Sequence, residues 1–268
     1  MDIIGLLQYS FIQKAIIAGS LVAITCSILG IFLVLKKMSL IGDGLAHLSF
    51  GGIALGLFVG VFPTLIAIPI VILGSILIIK ITKSAKVYGD SAIGIISAVG
   101  ISGGVILASL SNGFNVDLFS YLFGNILAIS NTEVILSVVL SLVVLAFIFT
   151  FYWDLFSATF DEEYASASGI KTNLANISLS ILTGITVVLS IKVVGVMLVS
   201  ALLIIPAITA LQFGKSFKKS ILISACLSFA SVLVGIIVSF KLDIPTGATI
   251  VMINVIFFVI SLVFKKFK

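Results

Sequence analysis

Nine runs of apolar residues, each near the length needed to cross a bilayer, follow one another along this chain with short polar breaks. An α-helix rises 1.5 Å per residue, so about 20 apolar residues cover the hydrocarbon layer. The runs lie near 11–35, 44–61, 63–80, 91–111, 133–152, 174–191, 193–212, 218–240 and 244–264. Lipid offers nothing to bond peptide N–H and C=O groups, so each run must satisfy its own as a helix. The fold class expected is therefore all-α: a polytopic transmembrane helical bundle of about nine spans. Composition agrees, with 61% of the 268 residues hydrophobic and 9% charged. Mean hydropathy is +1.40. Such a chain cannot cover a water-facing surface with polar groups. A single transmembrane domain over 1–268 is expected, with the lipid bilayer as its solvent and no room for a soluble enzyme beside it.

The segment 116–130, VDLFSYLFGNILAIS, is apolar but short. It suits a re-entrant or interfacial helix better than a crossing. With nine spans, Lys36, Lys37, Lys80, Lys83, Lys86, Lys171, Lys215, Lys218, Lys219, Lys265, Lys266 and Lys268 fall on one side, and only Lys14, Lys192 and Lys241 on the other. Lysine excess marks the cytoplasmic side, so the N-terminus is expected outside. A tenth crossing at 116–130 would put the later lysines on the wrong side. The start, MDIIGLLQYSF, has no basic region, so the first helix is read as a retained span and not as a signal peptide.

The net charge of +5 does not point to nucleic acid, because the lysines sit between apolar runs and form no single patch. There is no arginine, which excludes guanidinium clamps on phosphate or carboxylate. Cys26 and Cys226 lie inside apolar runs without a CxxC partner and read as small core residues. Gly52, Gly56 and Gly60 form a small-residue series suited to close helix approach. Pro69 and Pro206 stand within spans, where they are expected to kink or break the helix. Asp90, Asp117 and Glu133 lie near span ends and read as interfacial or capping groups.

An ionisable side chain inside a span is expensive and usually faces a cavity or a partner. The clearest case is Asp43 with His47, the only histidine, in LIGDGLAHLSFGGIALG. Four residues apart on a helix, they share one face, one turn apart. Two readings fit. In one, carboxylate and imidazole ligate a borderline divalent metal, zinc before manganese. In the other, Asp43 caps the second span and His47 bonds a backbone carbonyl. The metal reading needs more ligands than one chain offers. A second copy across a two-fold axis would complete four, so that reading carries a homodimer with its pathway on the axis. As the pair begins the second span, it is expected a short way in from the cytoplasmic side, unless the helix breaks near Gly42.

The polar stretch 158–173, ATFDEEYASASGIKTN, contains Thr159 and Glu162 at capping-box spacing. Asp161, Glu162 and Glu163 suit the first turn of a short helix, and Gly169 suits its C-terminal cap. That helix reads equally as a docking element for a partner or as a plain surface helix. No HExxH metalloprotease motif and no P-loop occur, and no nucleophile elbow is expected. ATP-driven work would therefore need another subunit to bind ATP.

Several stretches together resemble the membrane subunits of the ABC importers for zinc, manganese and iron. They are KKMSLIGDGLAH at 36–47, SFGGIALG at 49–56, GDSAIGI at 89–95 and FNVDLFSYLFG at 114–124. TFDEEYASASGI at 159–170, VVGVMLVSALLIIPAITA at 193–210 and IPTGATIV at 244–251 complete the set. The resemblance runs over nearly the whole chain, and two of its stretches look most like the zinc-uptake branch. It implies a permease in a prokaryotic cell membrane, formed from two copies of the chain and driven by two cytoplasmic ATP-binding subunits. An extracytoplasmic metal-binding protein would deliver a divalent ion, zinc before manganese. It also implies metal-site roles for Asp43 and His47. An ATPase-coupling helix is implied at Asp161, Glu162, Glu163, Tyr164, Ala165, Ser166, Ala167, Ser168 and Gly169. A gradient-driven secondary transporter is the competing class, and it would bring inverted repeats and more buried carboxylates. An intramembrane hydrolase is a third class, and the missing motifs speak against it.

Overall fold

The computed structural model describes residues 8–84, 88–111, 116–125, 129–214 and 216–266, so residues 1–7, which precede the expected first span, and Lys86, Lys215 and Lys268 lie outside it. The elements are α1 Ser10–Leu35, α2 Ile41–Val59, α3 Pro63–Ser84, α4 Gly89–Leu110, α5 Val116–Phe123, α6 Asn131–Thr150, α7 Tyr152–Phe160, α8 Glu162–Ala167 and α9 Thr172–Val194. A 3-10 turn at Val196–Leu198 leads into α10 Val199–Phe213, followed by α11 Phe217–Leu242 and α12 Thr246–Lys266. Among the described residues nine segments are long and apolar enough to cross a membrane, as the hydropathy pattern requires. The eight-residue α5 is not one of them. It packs instead on α9 and the 3-10 turn, in keeping with a helix that does not cross.

The most enclosed spans are α1 and α9, 78% and 72% buried, against 28% for α4 and α6, so the first two form the centre and the others face outward. Serines bond helices together where lipid supplies no hydrophobic drive. Ser224 donates to the Ser27 carbonyl at 3.2 Å and Ser228 to the Ala23 carbonyl at 2.9 Å, joining α11 to α1. Gly30 and Gly42 set the register around the site. A methyl at Gly30 would lie 1.9 Å from the Leu203 carbonyl oxygen, and one at Gly42 2.5 Å from the Leu203 side chain. Leu203 of α10 is thus wedged between α1 and α2.

Several expectations change in three dimensions. Pro69 and Pro206 sit inside continuous α-helices and break neither. Cys26 is buried, but Cys226 is exposed on α11, because its apolar run faces outward there. Thr159 does not cap α8. It lies in the last turn of α7, where its hydroxyl donates to the Leu155 carbonyl at 2.6 Å. Asp161 is the cap instead, accepting from the Tyr164 N–H at 2.9 Å. Asp90 takes the first turn of α4. Asp117 belongs to α5, and its side chain lies outside the described residues.

Glu133 does cap α6, in a reciprocal capping box with Ser130. It is also 7% exposed and pairs with Lys192 of α9 at 3.0 Å. The Lys192 ammonium lies 3.9 Å from the ring centre of Tyr121, so this charge pins α5 to α6 and α9. This cluster sits at the end of the bundle opposite Lys36, Lys171 and Lys218.

Candidate metal site and coupling helix

Helix α2 begins at Ile41 and runs unbroken through Gly42, so Asp43 falls in its first turn and His47 one turn on. Leu40, not Asp43, is the N-cap, and Leu40 makes no side-chain cap bond. The capping reading of Asp43 therefore fails. The four residues Asp43, His47, Gly51 and Leu55 form a partly open stripe at four-residue spacing on an otherwise largely buried helix. Asp43 Oδ2 lies 3.6 Å from His47 Nε2, with side chains 45% and 25% exposed. A carboxylate this open on a membrane span needs a partner or an aqueous pathway to cover it.

The other Asp43 oxygen, Oδ1, accepts a hydrogen bond from the Ser200 hydroxyl at 3.0 Å. Ser200 stands one turn before Leu203 on α10, and the Leu203 wedge at Gly42 brings the two residues into register. Ser200 is 13 residues ahead of Phe213, where α10 ends near the lysines. That separation is about 20 Å of helix. Asp43 thus meets the first turns of α10, while a Cβ on Gly44 beside it would lie 2.5 Å from Ile93, close to the Gly89 end of α4. The segment 36–40 is a compact turn between α1 and α2. Lys37 takes a left-handed conformation there, φ 58°. The Met38 N–H bonds the Leu33 carbonyl at 2.9 Å and closes the turn.

Among the described residues no group of three or more His, Cys, Asp or Glu side chains stands close enough to hold a metal ion. Among those residues one chain contributes the Asp43–His47 pair and no third such ligand beside it. Contrary to the expectation of no nucleophile elbow, the string Gly100-Ile101-Ser102-Gly103-Gly104 does have that spacing. It lies inside α4, where the Ser102 hydroxyl donates to the Ala98 carbonyl at 2.6 Å. An elbow needs a strand-to-helix turn, so this serine is not one.

The stretch 161–169 folds as expected of a short capped helix. The Gly169 N–H bonds the Ser166 carbonyl and the Ile170 N–H the Ala165 carbonyl, both at 3.0 Å. Gly169 itself has φ +88°. This pair of bonds around a left-handed residue is the Schellman cap. Ala165 is buried, while Glu162, Glu163, Tyr164, Ser166, Ala167 and Ser168 are exposed. Beneath the helix, Lys36 at the end of α1 bonds Asn176 of α9 and stands 4.0 Å from Glu162. Asn176 donates to Glu162 at 3.0 Å. Three elements thus meet in one polar cluster. The individual residues carry no such signal in sequence, since Lys36 and Glu162 lie far apart in the chain. Behind it, Phe156 of α7 packs 5.0 Å from Phe217 and Phe217 5.2 Å from Phe32, holding α7 against α11 and α1.

A manganese import system permease, ScaB of Streptococcus gordonii, is 33% identical over 96% of this chain and 92% of its own. A high-affinity zinc uptake system membrane protein, ZnuB of Haemophilus influenzae, is 32% identical over 97% of this chain and 99% of its own. The similarity divides evenly between the two. The solved structure of PsaBC from Streptococcus pneumoniae in complex with Fab superimposes with a TM-score of 0.88, at 32% identity over 97% of this chain and 93% of that one. The family model described as ABC 3 transport family matches residues 8–265, and with relatives above 30% identity along nearly its whole length the chain belongs to that family.

Proposed function

We propose that this chain is the membrane permease subunit of an ATP-driven importer of divalent metal ions, with zinc as its cargo. It works as a homodimer in a prokaryotic cell membrane and has no catalytic site of its own. The observation that carries the reading is the Asp43–His47 pair on the open stripe of α2, in a member of a transport family. Bonds of about 2.0–2.1 Å meeting at the tetrahedral angle place two ligand atoms about 3.3 Å apart. The 3.6 Å between Oδ2 and Nε2 is within reach of that value by small side-chain rotations. Two chains related by a two-fold axis supply two oxygens and two nitrogens. Their two carboxylates balance one divalent cation and lower the penalty of moving it through low dielectric.

An extracytoplasmic metal-binding protein delivers the ion, and ATP-binding subunits on the cytoplasmic side drive its passage. The helix from Asp161 to Gly169 docks on those subunits. Its polar contacts with Lys36 and Asn176 support transmission of their motion to α1 and α9. Manganese is the second reading, favoured by relatives such as ScaB.

The test is zinc-65 uptake by the complete importer in cells lacking other zinc importers. Asp43→Asn and His47→Ala each remove two of four ligands or both charges from the dimer. Both variants are expected to assemble with the ATP-binding subunits and hydrolyse ATP while uptake falls at least about tenfold, the lower end of the loss that changing even an outer partner of a metal ligand brings. Near-normal uptake by both would remove the metal site from the proposal.

A further inference from the structure

We propose that Ser200 is a specificity-determining residue for the transported metal, because its hydroxyl holds Asp43 to a single metal bond. The inference rests on Asp43 and His47 being cargo ligands.

The two oxygens of Asp43 have different partners. Oδ1 accepts from Ser200 on α10 at 3.0 Å, while Oδ2 faces His47 on its own helix at 3.6 Å. An ionised carboxylate binds a metal through one oxygen or through both. A carboxylate oxygen that accepts a charge-assisted hydrogen bond has a lone pair and part of its charge committed, so Oδ1 is the poorer metal donor and Oδ2 the better one. Binding through both oxygens also turns the carboxylate from the orientation in which Ser200 holds it, at a cost in that bond. Leu203 one turn on, wedged against Gly30 and Gly42, fixes the backbone that carries Ser200.

With Oδ1 held, a dimer presents four donor atoms, two oxygen and two nitrogen. That number and that mixture suit zinc, which is content with four ligands. With Oδ1 released, up to six donors become available, four of them oxygen. Higher coordination rich in oxygen suits manganese. A hydroxyl that touches no metal therefore sets how many ligands the metal meets. Outer partners of metal ligands commonly change affinity by about 10–100-fold.

The complete importer is assayed in cells lacking other zinc and manganese importers, with zinc-65 and manganese-54 supplied together. Ser200→Ala is expected to lower the zinc-to-manganese uptake ratio about tenfold. Ser200→Gly, which also removes the hydroxyl and adds no ligand, is expected to do the same. Ser200→Thr keeps the hydroxyl and should keep the ratio, which separates hydrogen bonding from packing. Equal loss of both metals in Ser200→Ala and Ser200→Gly would mean a packing role and overturn the proposal. An unchanged ratio in both, while Asp43→Asn and His47→Ala fail to transport, would overturn the role of Ser200 and leave the metal site standing. Near-normal uptake by Asp43→Asn and His47→Ala would overturn the site itself, and the role of Ser200 with it.

Discussion

Replacing Gly169 with valine separates the two readings of α8, a docking element or a plain surface helix. Gly169 has φ +88°, and a Cβ placed there meets nothing within 4 Å. The penalty is therefore a backbone penalty alone. A side-chain-bearing residue in the left-handed region loses about 1–2 kcal/mol, and β-branching puts valine at the upper end. About 2 kcal/mol lowers the population of the capped conformation about thirtyfold. A six-residue helix has little cooperativity with which to absorb that loss. The two hydrogen bonds from Gly169 and Ile170 should open first, leaving the bundle intact.

The expected outcome is a permease that inserts, keeps its thermal unfolding midpoint in detergent and fails to couple ATP hydrolysis to uptake. Gly169→Asn should retain coupling, since asparagine tolerates the left-handed region. Normal uptake together with normal ATPase stimulation in Gly169→Val would refute the role of this cap.

Two further outcomes are expected. Lys192→Met leaves Glu133 buried without its counter-charge, so thermal stability in detergent should fall by about 3–5 kcal/mol, and Glu133→Gln in the same chain should recover most of it; an unchanged midpoint for Lys192→Met would refute the pairing. Cysteines introduced at Ser168 or Ser216, in a chain with the exposed Cys226 changed to serine, should escape impermeant thiol reagents in intact cells and react after permeabilisation; labelling from outside would invert the assigned orientation.

The span count, the helical class and the short non-crossing segment were legible in the sequence, because lipid imposes one rule on every peptide group wherever the chain goes. Each run of about 20 apolar residues reports its own fate without reference to its neighbours. The cap at Gly169 was legible for a similar reason, as capping is settled within one turn. The neighbouring cap was misread: Thr159 and Asp161 both have the right chemistry, and the continuation of α7 to Phe160 decided between them.

Asp43 and His47 were legible as a pair, because four-residue spacing on a helix fixes a shared face. Their contact with α10 was not, since it follows from how α2 crosses that helix. Ser200 was visible only as one of two hydroxyls in the apolar run VVGVMLVSALLIIPAITA. Its hydrogen bond to a residue 157 positions away depends on Leu203 fitting between Gly30 and Gly42. The cluster of Lys36, Asn176 and Glu162 and the pair of Lys192 with Glu133 are of the same kind. Sequence alone thus determined what each segment must be in a membrane, through local hydrogen bonding and hydropathy. Tertiary structure decided which polar groups meet, because helix crossing depends on the shapes of side chains far apart in the chain.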